Sequence, residues 1–298
     1  MNSIARQIIN EFEQTNRELW GDKFFIQIKE DKVVLMTEGL VTKLKDLLGD
    51  NLDFEVTSLD KDETVGQYFR VKKDNTSHIH HYHRDSKETD RLLQNLPSKD
   101  MMTIEEEGGR MVTKNELMGG ELFRGVVLNN WIAAVIYHDF VYIAPKVIGW
   151  VRLDDRIEKV DGKEFLRPET LITLDEAIEM LEGLPYHLGG KSKQTGFDCS
   201  AFVQWVIYNT RGIWLPKLAK WQALVGEDIE KENVQKGDLV FFRESPHWHV
   251  EHVGILISKD NMIHAYSDEK KIVIDSPENL ISKRRDKMKI GKYMKIDQ

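Results

Sequence analysis

Apolar residues recur at helical spacing through Ile4, Ile8, Ile9, Phe12 and Leu19, so the chain opens on an amphipathic helix. Residues 23–36 then alternate apolar and polar like a pair of strands. Residues 40–48 return to helical spacing and stop near Gly49, and 54–56 and 68–71 read as further strands. These patterns predict an α+β region of unassigned fold over residues 1–104. From 105 the pattern changes. Short segments at 110–112, 121–128, 131–137, 140–143 and 149–153 are rich in β-branched and aromatic residues. The pairs Gly119-Gly120, Asn129-Asn130 and His138-Asp139 separate them with turn chemistry. Such closely spaced strands suit a small β-barrel over 105–160, which protects its edges by closing on itself.

A charged link over 154–168 leads into a third region, 161–298, where helix and strand signals are sharpest. Thr173 and Glu176 form a capping-box pair, Leu174, Ile178 and Leu181 make an apolar stripe, and Gly183 and Pro185 end the helix. The run after Cys199 is apolar almost all round, which predicts a buried helix with Asp198 as its N-cap. Downstream, 236–242 reads as a turn and a strand. Residues 250–257 and 262–266 follow as two strands joined at 258–261. The basic stretch 283–295 carries Ile290, Tyr293 and Met294 at intervals and reads as an amphipathic terminal strand.

Composition narrows the function classes. The 298 residues carry 42 Lys and Arg against 50 Asp and Glu, a formal charge of −8, which disfavours a general phosphate-backbone binder and leaves nucleic acid out of the expected partners. No apolar run is long enough for a membrane span, and the first twenty residues are too charged for a targeting segment. The chain therefore reads as cytoplasmic rather than secreted. Nothing in the sequence sets an oligomeric state. With one cysteine, Cys199, an intramolecular disulfide and a cysteine-only metal site are both impossible. The cluster His78-Ile79-His80-His81-Tyr82-His83 puts two imidazoles on each face of an extended strand. Two ligands make a weak metal site, so the expectation is an exposed polar segment, with no metal and no cofactor.

The lone thiol has a more pointed setting. In the first turn of a buried helix it meets unpaired N–H groups and the positive end of the helix dipole, which lower a thiol pKa. A thiolate nucleophile also needs a base. His252 and His264 fall on neighbouring strands, near each other to within about two residues of register. One can take the proton from Cys199 while the other fixes its tautomer. His247 and His249 lie close by in sequence; His252 is preferred because Gly254, on the same face, leaves room for close approach to the nucleophile.

Two resemblances follow from these residues. Leu117-Met118-Gly119-Gly120-Glu121, Trp131 and Gly149-Trp150-Val151 resemble a bacterial SH3-like (SH3b) domain, a type that binds or positions rather than catalyses. Phe197-Asp198-Cys199-Ser200-Ala201-Phe202, Leu215-Pro216, Gly237-Asp238-Leu239-Val240-Phe241-Phe242, His252-Val253-Gly254-Ile255 and Ile263-His264-Ala265 resemble the NlpC/P60 family of bacterial cell-wall cysteine peptidases, over roughly 170–298. The resemblance implies an α+β chain whose C-terminal domain is papain-like, preceded by the SH3-like barrel and the N-terminal α+β region. It implies Cys199 as nucleophile, His252 as general base and acid, and His264 as orienting partner.

The order of the two domains is similar to that of γ-D-glutamyl-diamino-acid endopeptidases of the dipeptidyl-peptidase VI type. That likeness implies murein-derived peptides with a free N-terminal L-alanine as partners, and Tyr186, Asp198 and Ser200 as holders of the substrate amine. The pattern departs at Ala201, where Gly is usual, at Leu188 beside His187, and at Lys217-Leu218 after the Leu-Pro pair. The rival readings are an amidase or acyltransferase on another amide or acyl substrate, and a catalytically idle protein that binds cell-wall peptides.

Overall fold

The computed structural model describes residues 7, 9–11, 26–29, 32–49, 52, 54–73, 75–80, 105–106, 110–111, 113–140, 147–244, 250–284 and 287–296. It divides into two compact units, Met1–Tyr137 with Lys146–Phe165, and His138–Pro145 with Leu166–Gln298.

In the first unit, β1 (Ile26–Lys29) and β2 (Lys32–Leu35) pair antiparallel. Helix α1 (Glu38–Leu48) then carries the chain to β3 (Glu55–Ser58), which lies parallel to β2. Val41 and Leu44 of α1 pack with Val33, Leu35 and Phe54, the expected stripe against the expected alternation. Gly49 closes the helix at φ 81°, where a side chain would be strained.

The larger sheet has seven strands: β4 (Gln67–Val71), β5 (Thr76–His80), β6 (Thr113–Met118), β7 (Leu122–Leu128), β8 (Trp131–Ile136), β9 (Val147–Arg152) and β10 (Ile157–Val160). Their order is β10-β4-β7-β8-β9-β5-β6, antiparallel throughout. One expectation changes here. Strands β4 and β5 lie before residue 105 yet pair within the same sheet as β7 and β9, so the boundary expected at 104/105 does not separate two sheets. The pairing that crosses the border joins residues 88 apart, Arg70 donating to Glu158 at 2.8 Å, and periodicity carries no signal for so distant a partner. Of the strand expected at 140–143, Phe140 sits in a turn, and the three residues after it lie outside the described residues. The Asn129-Asn130 turn is where it was expected, closing a two-residue hairpin with Asn129 at φ 53°.

Arg124 is fully buried at the centre of β7. It donates to the carbonyls of Leu59 (2.6 Å), Asp62 (2.7 Å) and Val65, and to the Tyr137 hydroxyl (3.0 Å). One guanidinium thus serves four acceptors and ties the 59–65 loop to the sheet. Arg124→Met strips the donor and leaves the acceptors buried. It is expected to destabilise this unit by about 3 kcal/mol or more, read as a lowered denaturation midpoint; a midpoint within error of the parent would refute the role.

The second unit sets helices on an antiparallel sheet. Helices α2 (Leu174–Leu181) and α3 (Cys199–Arg211) pack through Ala177, Leu181, Phe202, Val203 and Val206 onto Leu239, Phe241, Val253, Ile255, Ile263 and Ala265. The strands are β11 (Glu227–Ile229), β12 (Leu239–Glu244), β13 (Val250–Leu256), β14 (Met262–Tyr266), β15 (Lys271–Asp275) and β16 (Met288–Lys295), in the order β11-β16-β12-β13-β14-β15. Short helices α4 (Ala219–Gln222) and α5 (Pro277–Lys283) complete the unit. Val240, Phe242, Leu256, Met262 and Leu280 form a second cluster on the other face. Covered on both sides, β12 reads as an unbroken apolar run instead of an alternating one. The capping box at Thr173 and Glu176 is present as expected. Among the described residues no helix is long and apolar enough to cross a membrane.

Candidate active site

Cys199 is the first residue of α3 and is partly buried. Asp198 caps the helix: its Oδ1 accepts from the Ala201 N–H at 2.7 Å and from the Ser200 hydroxyl at 2.9 Å. Its Oδ2 accepts from the Gly189 N–H at 3.0 Å, which clamps the preceding loop onto the helix start. Behind the first turn, fully buried Gln222 of α4 donates to the carbonyls of Ser200 and Pro216, both at 2.9 Å. The turn that carries Cys199 is therefore held from two sides.

His252 and His264 are brought together. The register pairs Ile255 with Ile263 and Leu256 with Met262; continued by one step it sets His264 opposite Gly254, two residues from His252. The rings close that diagonal, with His252 Nε2 and His264 Nδ1 at 2.7 Å. Gly254 makes this possible. A Cβ there would lie 2.9 Å from Met262 Sδ and 3.3 Å from the Cβ of His264. Its missing side chain thus makes room for Met262 and for the cross-strand histidine. A β-bulge precedes His252, since Phe242 pairs with His252 but Arg243 pairs with Val250, leaving Glu251 as the extra residue. Bulges of this kind re-aim the neighbouring side chain. Phe242 and Tyr266 enclose the pair, the Tyr266 ring stacking on His264 at 5.2 Å between centroids.

Electrostatics correct a second expectation. Burial pushes the Cys199 thiol up to about 12, and the Asp198 carboxylate adds to this; the N–H groups of Val253, Ser200 and Cys199 pull the other way. Burial holds His252 well below the usual histidine range, helped by the adjacent His264 and by Arg284. His264 is lowered to about 4, again by burial first. Taken singly, each group is shifted toward its uncharged form, against the expected thiolate. The helix start favours an anion, but less than a water-poor setting and a neighbouring carboxylate oppose it.

Tyr186 lies on the segment leading to Cys199. Its N–H donates to the Lys270 carbonyl at 2.9 Å, and its backbone bridges Phe197. Its phenol is raised by burial, with Cys199 and Asp198 next in effect, so hydroxyl, sulfur and carboxylate share one neighbourhood. Ser200 is buried and gives its hydroxyl to Asp198, so it braces that carboxylate instead of standing open to a ligand. Sequence reasoning missed Gln222, the bulge at Glu251, and Arg284; only the Leu215-Pro216 motif hinted at the first. His247, His249, His81 and His83 lie outside the described residues, as do the side chains of His78 and His80.

The NlpC/P60 family model matches residues 183–289, which span Cys199, His252, His264 and Arg284. The chain is 35% identical over 129 residues to the probable endopeptidase NlpC of Escherichia coli, covering 43% of this chain and 75% of that protein. The chain belongs to the NlpC/P60 family. It is also 40% identical over 125 residues to the gamma-D-glutamyl-L-lysine dipeptidyl-peptidase of Bacillus cereus, and 28% identical over 186 residues to the gamma-DL-glutamyl hydrolase of Bacillus subtilis. These matches cover 40% and 59% of this chain; the chain spans only 37% and 41% of those two relatives. The NlpC/P60 match falls wholly within the second unit, on its helix-and-sheet α+β fold.

Proposed function

We propose that this protein is a cysteine endopeptidase that hydrolyses the amide between γ-D-glutamate and a diamino acid in cell-wall peptides with a free N-terminal L-alanine. One observation carries the reading: two buried imidazoles bonded at 2.7 Å on strands that pack against the helix opened by a capped cysteine. The relatives, named as a dipeptidyl-peptidase, a γ-glutamyl hydrolase and a probable endopeptidase, support the substrate class.

Catalysis starts from the neutral pair. As the Cys199 sulfur attacks the γ-carbonyl carbon, its proton passes to His252, so the thiolate need not exist beforehand. His252 then carries two protons and donates Nε2–H to His264 Nδ1, which spreads the new charge into a second ring. The Cys199 N–H meets the developing oxyanion. His252 returns its proton to the leaving amine as the C–N bond breaks, leaving a thioester. Water, deprotonated by His252, attacks the thioester; the acid leaves and the sulfur recovers its proton. Tyr186 and Asp198 take the substrate ammonium, with Ser200 acting through Asp198. Asp198 keeps lone-pair capacity for this, because each carboxylate oxygen can accept two hydrogen bonds. The segment 105–160, by its SH3-like resemblance, serves binding rather than chemistry.

Mass spectrometry of products from L-Ala-γ-D-Glu-diamino-acid peptides, free and N-acetylated, tests the proposal. Release of L-Ala-γ-D-Glu from the free peptide, with the acetylated one slower by about 100-fold or more, is the expected result. Cleavage at another bond, or equal rates for both peptides, would overturn it.

A further inference from the structure

The Tyr186 segment runs beside the β14–β15 turn, and α5 returns the chain to that same turn. The Gly183 N–H donates to the Ile272 carbonyl, the Ile272 N–H to the Leu184 carbonyl, and the Tyr186 N–H to the Lys270 carbonyl. At this turn sits Arg284, its Cζ 5.5 Å from the centre of the Tyr266 ring, which itself stacks on His264. Nη2 of Arg284 lies 3.3 Å from Asp268 Oδ1 and 3.5 Å from Ser267 Oγ. Its Nε is enclosed with no acceptor among the described residues. The charge is close enough to act on both Tyr186 and His252.

The neighbouring cation makes the contrast. Lys283 also approaches the Tyr266 ring, at 5.9 Å, but is held by Asp275 at 3.0 Å and by Glu269 at 3.2 Å, Asp275 being buried. Among the described residues Arg284 has one carboxylate partner, Asp268, and that side chain is 52% exposed. A guanidinium offers five donors in a flat fork that suits carboxylates. Here it rests on an aromatic face with most of that fork unused, beside the proposed reacting groups.

We infer that Arg284 binds a carboxylate of the substrate next to the scissile amide. The inference rests on the proposed reaction and names a specificity residue for it. A γ-linked glutamyl group keeps a free α-carboxylate on the acyl side of the reacting carbonyl, whereas an ordinary α-linked residue has no charge there. The guanidinium next to Tyr186 gives that carboxylate a partner, and a small turn of the fork brings Nε–H into use. The diamino acid's own carboxylate, on the leaving side, offers the same chemistry from the other direction.

The test compares L-Ala-γ-D-Glu-Lys with its glutamyl α-amide and with its lysine carboxamide, using parent, R284Q and R284K proteins. The parent is expected to favour the α-acid over the α-amide by about tenfold or more in kcat/KM. R284Q removes the preference and R284K keeps part of it. Because each preference is a ratio within one protein, a variant that is merely damaged lowers both rates and leaves the ratio standing. Loss of preference against the lysine carboxamide alone assigns the guanidinium to the leaving-side carboxylate. An R284Q ratio equal to that of the parent on both pairs overturns the inference. Titrating the same peptides into Cys199→Ala proteins, with and without R284Q, reads the preference as Kd. That reading stands even if none of the peptides is cleaved, an outcome that would sink the proposed reaction alone.

Discussion

Alanine at Cys199 or at His252 lowers kcat/KM on the L-Ala-γ-D-Glu-diamino-acid peptide by about four orders of magnitude or more, and the double variant is no worse than either. The sulfur and the imidazole act as a unit, so removing either removes the whole covalent route. A double variant substantially slower than both singles would mean that the two residues contribute separately, which the mechanism forbids. The pH profile adds a sharper requirement. His252 works as a base only when neutral, and burial keeps it neutral to well below the ordinary value of 6.5. Activity is therefore expected to hold as pH falls through 6.5 and to fail only in more acid solution. The thiol is the protonated form at neutral pH, because burial and Asp198 raise it to about 12. Alkylation of the ligand-free protein by iodoacetamide should accordingly climb on the alkaline side of neutrality. A fast alkylation plateau extending down to pH 5 would show a standing thiolate–imidazolium pair and overturn the neutral starting state.

The parts of this site that the sequence made legible are those set by short-range rules. Asp198 before an apolar run names a helix start, and the structure confirms the cap through the Ala201 N–H. Two strands joined at 258–261 bring two histidines within reach, because hairpin geometry limits the register to a few choices. The thiol's charge state was not legible. It depends on how many walls surround the sulfur and where the Asp198 charge ends up, and neither has a sequence pattern. The same holds for Gln222, a buried amide whose two carbonyl partners lie 22 and 6 residues away. In the first unit 68–71 read as a strand, but nothing in it named its neighbour, and β10 comes from residues 157–160. The burial of Arg124 against four acceptors is a property of the assembled loop and has no local sequence pattern.

Removing the second imidazole is expected to cost less than removing the first but to change more observables. His264→Ala leaves His252 Nε2–H without its acceptor, and kcat/KM should drop by about 100-fold. His264→Asn, whose amide oxygen can accept from Nε2–H, should restore part of the loss. Acid stability gives a second reading. His264 is completely buried and titrates at about 4, below the ordinary value of 6.5. The unfolded chain thus takes up a proton first as pH falls. The stability that this neutral ring contributes is complete above 6.5 and declines as pH drops toward 4, by up to about 3 kcal/mol. His264→Asn deletes this titration. Its unfolding free energy should lose less between pH 7 and pH 4 than the parent's, although the variant is less stable at pH 7. A parent and variant whose stabilities fall in parallel over that range would mean that the second ring titrates in the folded protein as it does in the unfolded chain. Below 6.5 it could not then accept from His252, and the activity expected to persist there would be lost with it.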